Sequence, residues 1–540
     1  DNGQVSAEYR NLCHHRVMTL TAPRSVARTP DLTTDLPRWR DLLYPGSLTQ
    51  EHFSPRNRET IATLPACTPE DVGAAFERAR AAQHAWGKTP LKERAAIVSR
   101  FHDAVLAHHE VLLDVVQHET GKSRSSAFDE VADIGLTAQY YSKSARRHLK
   151  PAKRQGAFPL LTRTREYYWP KGVVGMITPW NYPLTLPITD ALPALLAGNA
   201  IVLKPDAQTP LSSLAAIDLL YQAGLPRGLF QVVLGDGPTV GGAIIDNADF
   251  VMFTGSTATG KKVAQACGER LIGFSAELGG KNPMIVLDDA PFDRALQGTI
   301  PASFSNSGQL CMAIERLYVH DAIYDRFVPA LTELVSQLRL GTDLDYSSDI
   351  GSLISQEQLD KVTAHVNDAV ARGATVLTGG SARPDVAPFA FEPTLLENVT
   401  EDMELCRGET FGPVVAIYRF RSDDEALALA NDTRYGLNAS VWGSPRRAEK
   451  IARAIEAGSV NVNEGFTASW ASTDAPMGGF KESGVGRRHG REGIVKYTNV
   501  QTVATQRGMN VAAPKGMSPE KFARTLIRGL RLMKKLPGRS

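Results

Sequence analysis

The chain has 540 residues, 43% hydrophobic and 22% charged, with a formal net charge of +2. That length exceeds one simple core and implies two or three domains, while so small a net charge argues against a general nucleic-acid or membrane binder. Five cysteines, at positions 13, 67, 267, 311 and 406, form no CxxC pair, which argues against a disulfide framework or zinc cluster and for a reducing, cytoplasmic setting.

In chain order, residues 1–30 carry Arg10, Arg16, Arg24 and Arg28 without an apolar signal core and read as a disordered tail. Residues 69–86 and 91–118 read as two amphipathic helices, the first opened by Thr68-Pro-Glu-Asp71 with a cap, a proline and first-turn acids. From about 146 to 170 the chain is basic and aromatic (Arg163, Arg165, Tyr167, Tyr168, Trp169) and alternates like an extended ribbon; 494–506 does the same, so the two are candidates to pair.

From residue 172 short β-branched runs alternate with helical ones. Strands are predicted at Val173–Thr178, Ile201–Lys204, Leu229–Leu234, Phe250–Thr254 and Leu271–Ser275, with helices at 210–224, 238–246 and 259–268. That order implies a parallel sheet with crossover helices, a doubly wound α/β layout of the dinucleotide-binding type. The apolar stretch Ala191 to Leu203 is broken by Gly198 and Asn199 and reads as a buried helix end and strand; no segment is long and apolar enough for a membrane span. A second α/β series follows: strand Pro283–Leu287, a helix-rich region over 288–340, helix 355–372, strand Val414–Arg419 and helix 424–431. From Lys515 to Ser540 there are eight Lys or Arg against one acid, Glu520, with Phe522, Leu526, Leu530 and Met533 on one helical face. This reads as a solvated helix packed on a neighbouring subunit, with a membrane-surface or partner-binding helix as the alternative.

Chemistry concentrates in a few motifs. Cys311 closes the run Phe304-Ser-Asn-Ser-Gly-Gln-Leu-Cys311, and Glu277 lies 34 residues earlier in Glu277-Leu-Gly-Gly-Lys281. A thiol forms a covalent intermediate, and a carboxylate brings in the water that breaks it. Phe253-Thr-Gly-Ser-Thr-Ala-Thr-Gly260 follows a strand and opens a helix, which suits a phosphate on backbone N–H groups. Thr178-Pro-Trp-Asn-Tyr-Pro183 and Lys204-Pro-Asp-Ala-Gln-Thr-Pro210 end successive strands, where open α/β sheets bind ligands, and Glu409-Thr-Phe-Gly-Pro413 lies beyond the cysteine.

With these motifs, in this order and spacing, residues 40–505 resemble the aldehyde dehydrogenase superfamily. Within it the chain looks most like the second type of bacterial succinate-semialdehyde dehydrogenase found in actinobacteria, on Lys-Pro-Asp-x-Gln-Thr-Pro, Phe-Ser-Ala-Glu-Leu-Gly-Gly-Lys-Asn-Pro and the closing Lys-Leu-Pro-Gly-Arg. The resemblance implies a Rossmann-like cofactor domain (31–145 and 171–279), an α/β catalytic domain (280–485), a β-ribbon oligomerisation arm (146–170 and 486–506) and a basic tail (507–540). It implies a homodimer or homotetramer acting on a small aldehyde, with no nucleic-acid partner and no metal. Cys311 would be the nucleophile, Glu277 the general base, and the Asn181 amide with the Cys311 N–H the oxyanion site. Thr178, Trp180, Asn181, Lys204, Asp206, Ala207, Gly255, Ser256, Leu278, Glu409 and Phe411 would hold the cofactor. Ser256 would take phosphate, Leu278 the carboxamide, Glu409 the nicotinamide ribose, and Phe411 would pack near the ring.

Three positions depart from the family pattern. Many NAD-dependent members carry a glutamate where this chain has Ala207; without it a 2′-phosphate is not repelled and Lys204 is free to pair with it, which predicts NADP⁺ with NAD⁺ as the alternative. Thr189 and Ser305 stand where better-known succinate-semialdehyde dehydrogenases place arginines for the substrate carboxylate, so another cation is required in their place. The loop from Asn463 to Pro476 is about three residues longer than usual and carries Phe466 and Trp470. The expected reaction is oxidation of succinate semialdehyde to succinate, with a broader or more apolar aldehyde as the alternative. A CoA-acylating enzyme is disfavoured because such enzymes usually lack the carboxylate at Glu277.

Overall fold

The computed structural model describes residues 32–156, 162–507 and 512–534. The tail expected over residues 1–30 and the closing Lys-Leu-Pro-Gly-Arg lie outside them.

Strands rich in Val, Ile, Leu and Met, apolar on both faces, require cover on both sides, and parallel sheets provide it. Val173–Ile177, Ala200–Lys204, Phe230–Val232 and Phe250–Thr254 form such a sheet with Gly273–Glu277, closed at one edge by antiparallel Gly484–Val485. Helices Pro69–Trp86, Thr185–Leu196, Pro210–Gln222 and Gly237–Asn247 contribute to one continuous apolar core around it. A seven-stranded sheet runs Thr375–Thr378, Thr394–Glu397, Val414–Phe420, Ile314–His320, Asn282–Val286, Asn438–Trp442, Ser459–Val462, parallel except for its first pair. A third sheet pairs Thr498–Gln506 with Thr162–Pro170 and then Ala152–Arg154, all antiparallel, so the two ribbon candidates do meet.

Four expectations change. The helix expected over 91–118 is two, Leu91–Ala107 and His109–Thr120, because the chain leaves helical geometry at His108 (φ −112°). The rings of His108 and His109 bond back to the Ala104 and Leu106 carbonyls, in competition with the helical ladder. The strand expected at Leu271–Ser275 runs over Gly273–Glu277: Leu271 is left-handed (φ 56°) and exposed, so it belongs to the turn. The helix-rich region 288–340 contains a buried central strand, Ile314–His320. Residues 486–497, expected in the arm, instead pack on the six-stranded sheet through Ile494 and Tyr497.

The helix Arg124–Leu149 organises the interior beneath the site. Lys122 and Glu130 pair at 2.6 Å with no exposure of either side chain. Glu130 also accepts the Leu184 and Thr185 N–H groups at the start of helix Thr185–Leu196, and Lys122 donates to the Asn181 carbonyl at 2.7 Å. Glu130→Ala strands the Lys122 ammonium in a dry interior and should cost about 3–5 kcal/mol. A denaturation midpoint indistinguishable from the parent would contradict this.

Candidate active site

Parallel strands deliver their last residues to one edge of the sheet. Thr178 follows the strand Val173–Ile177, while Lys204, Thr254 and Glu277 each end their own strands. Gly255 and Ser256 follow Thr254, and the Ser256 hydroxyl caps the helix Thr257–Glu269 by accepting from Thr259 N. Thr178 N donates to the Lys204 carbonyl and Gly255 N to the Glu277 carbonyl, which locks these turns to one another.

One cavity of about 190 Å³ is lined by Trp180, Asn181, Gly255, Ser256, Leu278, Cys311, Glu409 and Phe411, together with Gln358 and Lys361. Eight of the sequence-predicted residues therefore share a wall. Glu277 is buried and precedes Leu278 in that wall. Ala207 lines a different cavity of about 360 Å³, with Gln208, His52 and Glu119. Lys204 is buried, and burial lowers its pKa against the opposing pull of Asp206 and Asp236; the Asp206 carboxylate accepts from Gln208 N at 3.0 Å.

The cysteine loop has an unusual backbone. Asn306, Ser307 and Gly308 are consecutively left-handed, at φ 51°, 55° and 69°. For non-glycine residues that conformation costs about 1–2 kcal/mol each, so it persists only where the surroundings enforce it. Asn306 N donates to Ser126 Oγ, and Asn306 Nδ2 to the carbonyls of Asn181 and Gln309. Ser307 Oγ donates to Gly351 O, while the Gln309 amide is held by Asn306 O, Ser352 O and Ile354 N. At Gly308 a Cβ would lie 2.1 Å from the Gly412 carbonyl, so no other residue fits. Asn181 Nδ2 donates one hydrogen to Gln309 O at 3.0 Å, which orients the amide and leaves its second N–H for a ligand.

Around the opposite wall, Glu315 accepts from Thr410 N and Phe411 N and pairs with buried Lys281. This holds the Glu409-Thr-Phe loop with Phe411 at φ 59° and its ring edge-on to Trp180, centroids 5.5 Å apart. Glu409 accepts from Gly280 N at 2.8 Å, and a Cβ on Gly279 would stand 2.5 Å from that carboxylate. A dinucleotide fits these residues on the structure's own evidence: a capped helix N-terminus, a glycine-lined wall, and Thr178 Oγ1, Thr254 Oγ1 and Asn181 Oδ1 buried without a hydrogen-bond partner among the described residues.

Burial and then two neighbouring acids oppose ionisation of the thiol. Burial pushes the Cys311 thiol up to about 12, with Glu277 and Glu409 adding to it, and Arg488 and the residue's own N–H only partly offset them. Burial raises Glu277 to about 7 against the opposing charges of Arg488 and Lys496, and its Oε1 has no hydrogen-bond partner among the described residues. Burial, then Glu315, raises Glu409 to about 7.

Arg488 was not found from sequence, and nothing local marks it: Arg487-Arg488-His489 reads as a surface run. Its guanidinium is buried, 3.0 Å from Asp190, and donates to the hydroxyl of Thr189 at 2.5 Å. Lys496 and Tyr497 complete the cluster on the other Asp190 oxygen, at 3.0 and 2.9 Å. Burial works against the Asp190 charge, but Arg488 and Lys496 overcome it and hold the carboxyl below its ordinary range. Arg488 thus reaches Thr189 from another segment, with its charge matched by Asp190.

The chain belongs to the aldehyde dehydrogenase family: the profile described as Aldehyde dehydrogenase family matches residues 45–503. It is accordingly an oxidoreductase with the aldehyde dehydrogenase fold. A protein of Mycolicibacterium smegmatis named "Putative succinate-semialdehyde dehydrogenase (NADP+)" is 54% identical over 480 residues, 89% of this chain and 93% of that protein. A mitochondrial succinate-semialdehyde dehydrogenase of Oryza sativa is 35% identical, covering 86% of this chain and 88% of its own. Among solved structures, an NADP-dependent enzyme of E. coli matches with a TM-score of 0.81 at 34% identity, over 85% of this chain and 95% of that one. A betaine aldehyde dehydrogenase of Staphylococcus aureus in complex with NAD+ matches with a TM-score of 0.82 at 30% identity, over 89% and 98%.

A base must be ionised to work, so hydrolysis should rise with pH through about 7 as Glu277 loses its proton. Because Arg488 lowers the Glu277 pKa, Arg488→Gln should move this limb to higher pH, while Arg488→Lys, which keeps the charge, should leave it near the parent. An unmoved limb in folded Arg488→Gln would contradict the electrostatic influence of Arg488 on Glu277.

Proposed function

We propose that the chain oxidises an aldehyde to a carboxylate with NADP⁺, and that its substrate is succinate semialdehyde. The observation that carries the chemistry is the shared cavity of Cys311, Asn181, Leu278 and Glu409, with Glu277 buried beside it and its Oε1 without a hydrogen-bond partner among the described residues. The names of the curated relatives support the substrate and the cofactor.

In this reading Cys311 attacks as the thiolate, and its sulfur bonds the carbonyl carbon. The resulting oxyanion accepts from the free N–H of the Asn181 amide and from the Cys311 backbone N–H; losing one such donor typically costs about 10²–10³ in rate. The cofactor, held by Lys204, Ser256, Leu278 and Glu409 with Thr178, Trp180, Asp206, Ala207, Gly255 and Phe411 around it, supplies the hydride acceptor. Collapse of the oxyanion breaks the C–H bond of the former aldehyde carbon, its hydride leaving to that acceptor, and a thioester remains on Cys311. Glu277 then takes a proton from water, the hydroxide adds to the thioester carbonyl, and the C–S bond breaks to release carboxylate and regenerate the thiol. A carboxyl near 7 is a competent base at neutral pH, and its presence favours water over CoA as the acyl acceptor. We read the six-stranded sheet as the cofactor-binding domain, the seven-stranded sheet as the catalytic domain, and the three-stranded sheet as an arm between subunits.

A second reading has its own observation. Tyr182, Leu186, Leu310, Met312, Phe466 and Met477 cluster with Cys311 and Trp470, and the Trp470 ring lies 5.7 Å from Tyr182 and 6.3 Å from Phe466. The buried cations nearest this cluster are already matched, Arg488 by Asp190 and Lys122 by Glu130. Such a lining favours an apolar aldehyde.

NADPH production from succinate semialdehyde and from an uncharged aldehyde of equal length separates the two readings. A kcat/KM advantage of about tenfold or more for the carboxylated substrate is expected, and no advantage would leave the apolar reading. The same assay should favour NADP⁺ over NAD⁺ by about tenfold, with Ala207→Glu reversing the order. A tenfold preference of the parent for NAD⁺ would contradict the role given to Ala207.

A further inference from the structure

The net charge of the chain conceals an uneven distribution. The helix Pro519–Met533, capped by the Ser518 hydroxyl on Lys521 N, has no buried residue among those described. Its polar bonds stay within the helix: Ser518 with Lys521, Thr525 with Lys521, and Arg524 with Glu520. At helical spacing Phe522, Leu526, Ile527 and Leu530 form one stripe, while Lys521, Arg524, Arg528 and Arg531 occupy the opposite side. Ile527 is 49% exposed and Leu530 61%, values that belong to a surface waiting for cover rather than to a packed helix. An isolated helix of this length is marginal in water, so its apolar stripe needs a partner.

We propose that this helix lies on an anionic lipid bilayer, with its stripe in the acyl boundary and its cations on the headgroups. The charge pattern selects this occupant. The only acid of the helix is Glu520, at the first turn, and the basic side is otherwise interrupted by Thr525 and the exposed Leu532, which leaves four cations to meet a negative surface. A second copy of the helix, stripe against stripe, would cover the apolar face but leave both cationic sides turned outward without counter-charge. The helix is short for a membrane span, and no helix among the described residues is long and apolar enough to cross one, so the contact is a surface one.

The test is co-sedimentation of the full chain with vesicles of phosphatidylcholine alone or mixed with phosphatidylserine. About tenfold more protein should pellet with the anionic vesicles at low salt, and high salt should release it. Leu526→Glu/Leu530→Glu and a chain ending at residue 514 should remain in the supernatant, with dehydrogenase activity unchanged. Equal binding to the two vesicle types, or undiminished binding of the shortened chain, would overturn the proposal. So would failure to pellet together with a loss of oligomeric state on shortening, which would assign the stripe to a subunit contact.

Discussion

The backbone carbonyl of Asn181 is where the separate parts of this molecule are tied together. It accepts from Lys122 Nζ at 2.7 Å and from Asn306 Nδ2 at 2.9 Å. The first bond reaches, through Glu130, to the start of the helix Thr185–Leu196; the second reaches into the left-handed turn that carries Cys311. The Asn181 side chain is aimed by the Gln309 carbonyl, in the same loop. Nucleophile and oxyanion donor therefore share one set of fixed points, all buried, and the price of a dry Lys–Glu pair is offset by the positional accuracy it gives.

That accuracy matters because the local field opposes the first chemical step. Two carboxyls and burial keep the thiol protonated, and Arg488 alone is too far committed to Asp190 to reverse this. A cationic cofactor ring entering the cavity would shift the balance toward the thiolate, which makes thiol activation conditional on a bound cofactor. The same burial that disfavours the thiolate gives Glu277 a pKa near neutrality, where a general base is most effective. Arg488, Lys496 and Asp190 set where in that range it falls.

The parallel strands were legible because their signal is local: β-branched runs bounded by glycine, proline and capping residues. The strand Ile314–His320 was not, since Glu315 and Arg316 break its apolar character and find their partners far along the chain, in Lys281 and in the carbonyls of Lys281, Leu429 and Ala430. Leu271 misled for the converse reason: an apolar side chain at an exposed left-handed turn resembles the start of a strand. The reacting residues were readable as motifs, and Asn306 stands inside one of them, whereas Lys122, Glu130 and Arg488, which hold or charge their surroundings, carry no signature. Their roles exist only in the folded interior.

Cys311 carries the acyl group in this mechanism until Glu277 delivers water to it. Mixing Glu277→Gln, under conditions where it is folded, with NADP⁺ and excess succinate semialdehyde, and following NADPH together with the mass of the Cys311 peptide, tests this directly. The expected result is a single burst of about one NADPH per site and a Cys311 peptide heavier by the succinyl group. Sustained turnover with an unmodified Cys311 would contradict it.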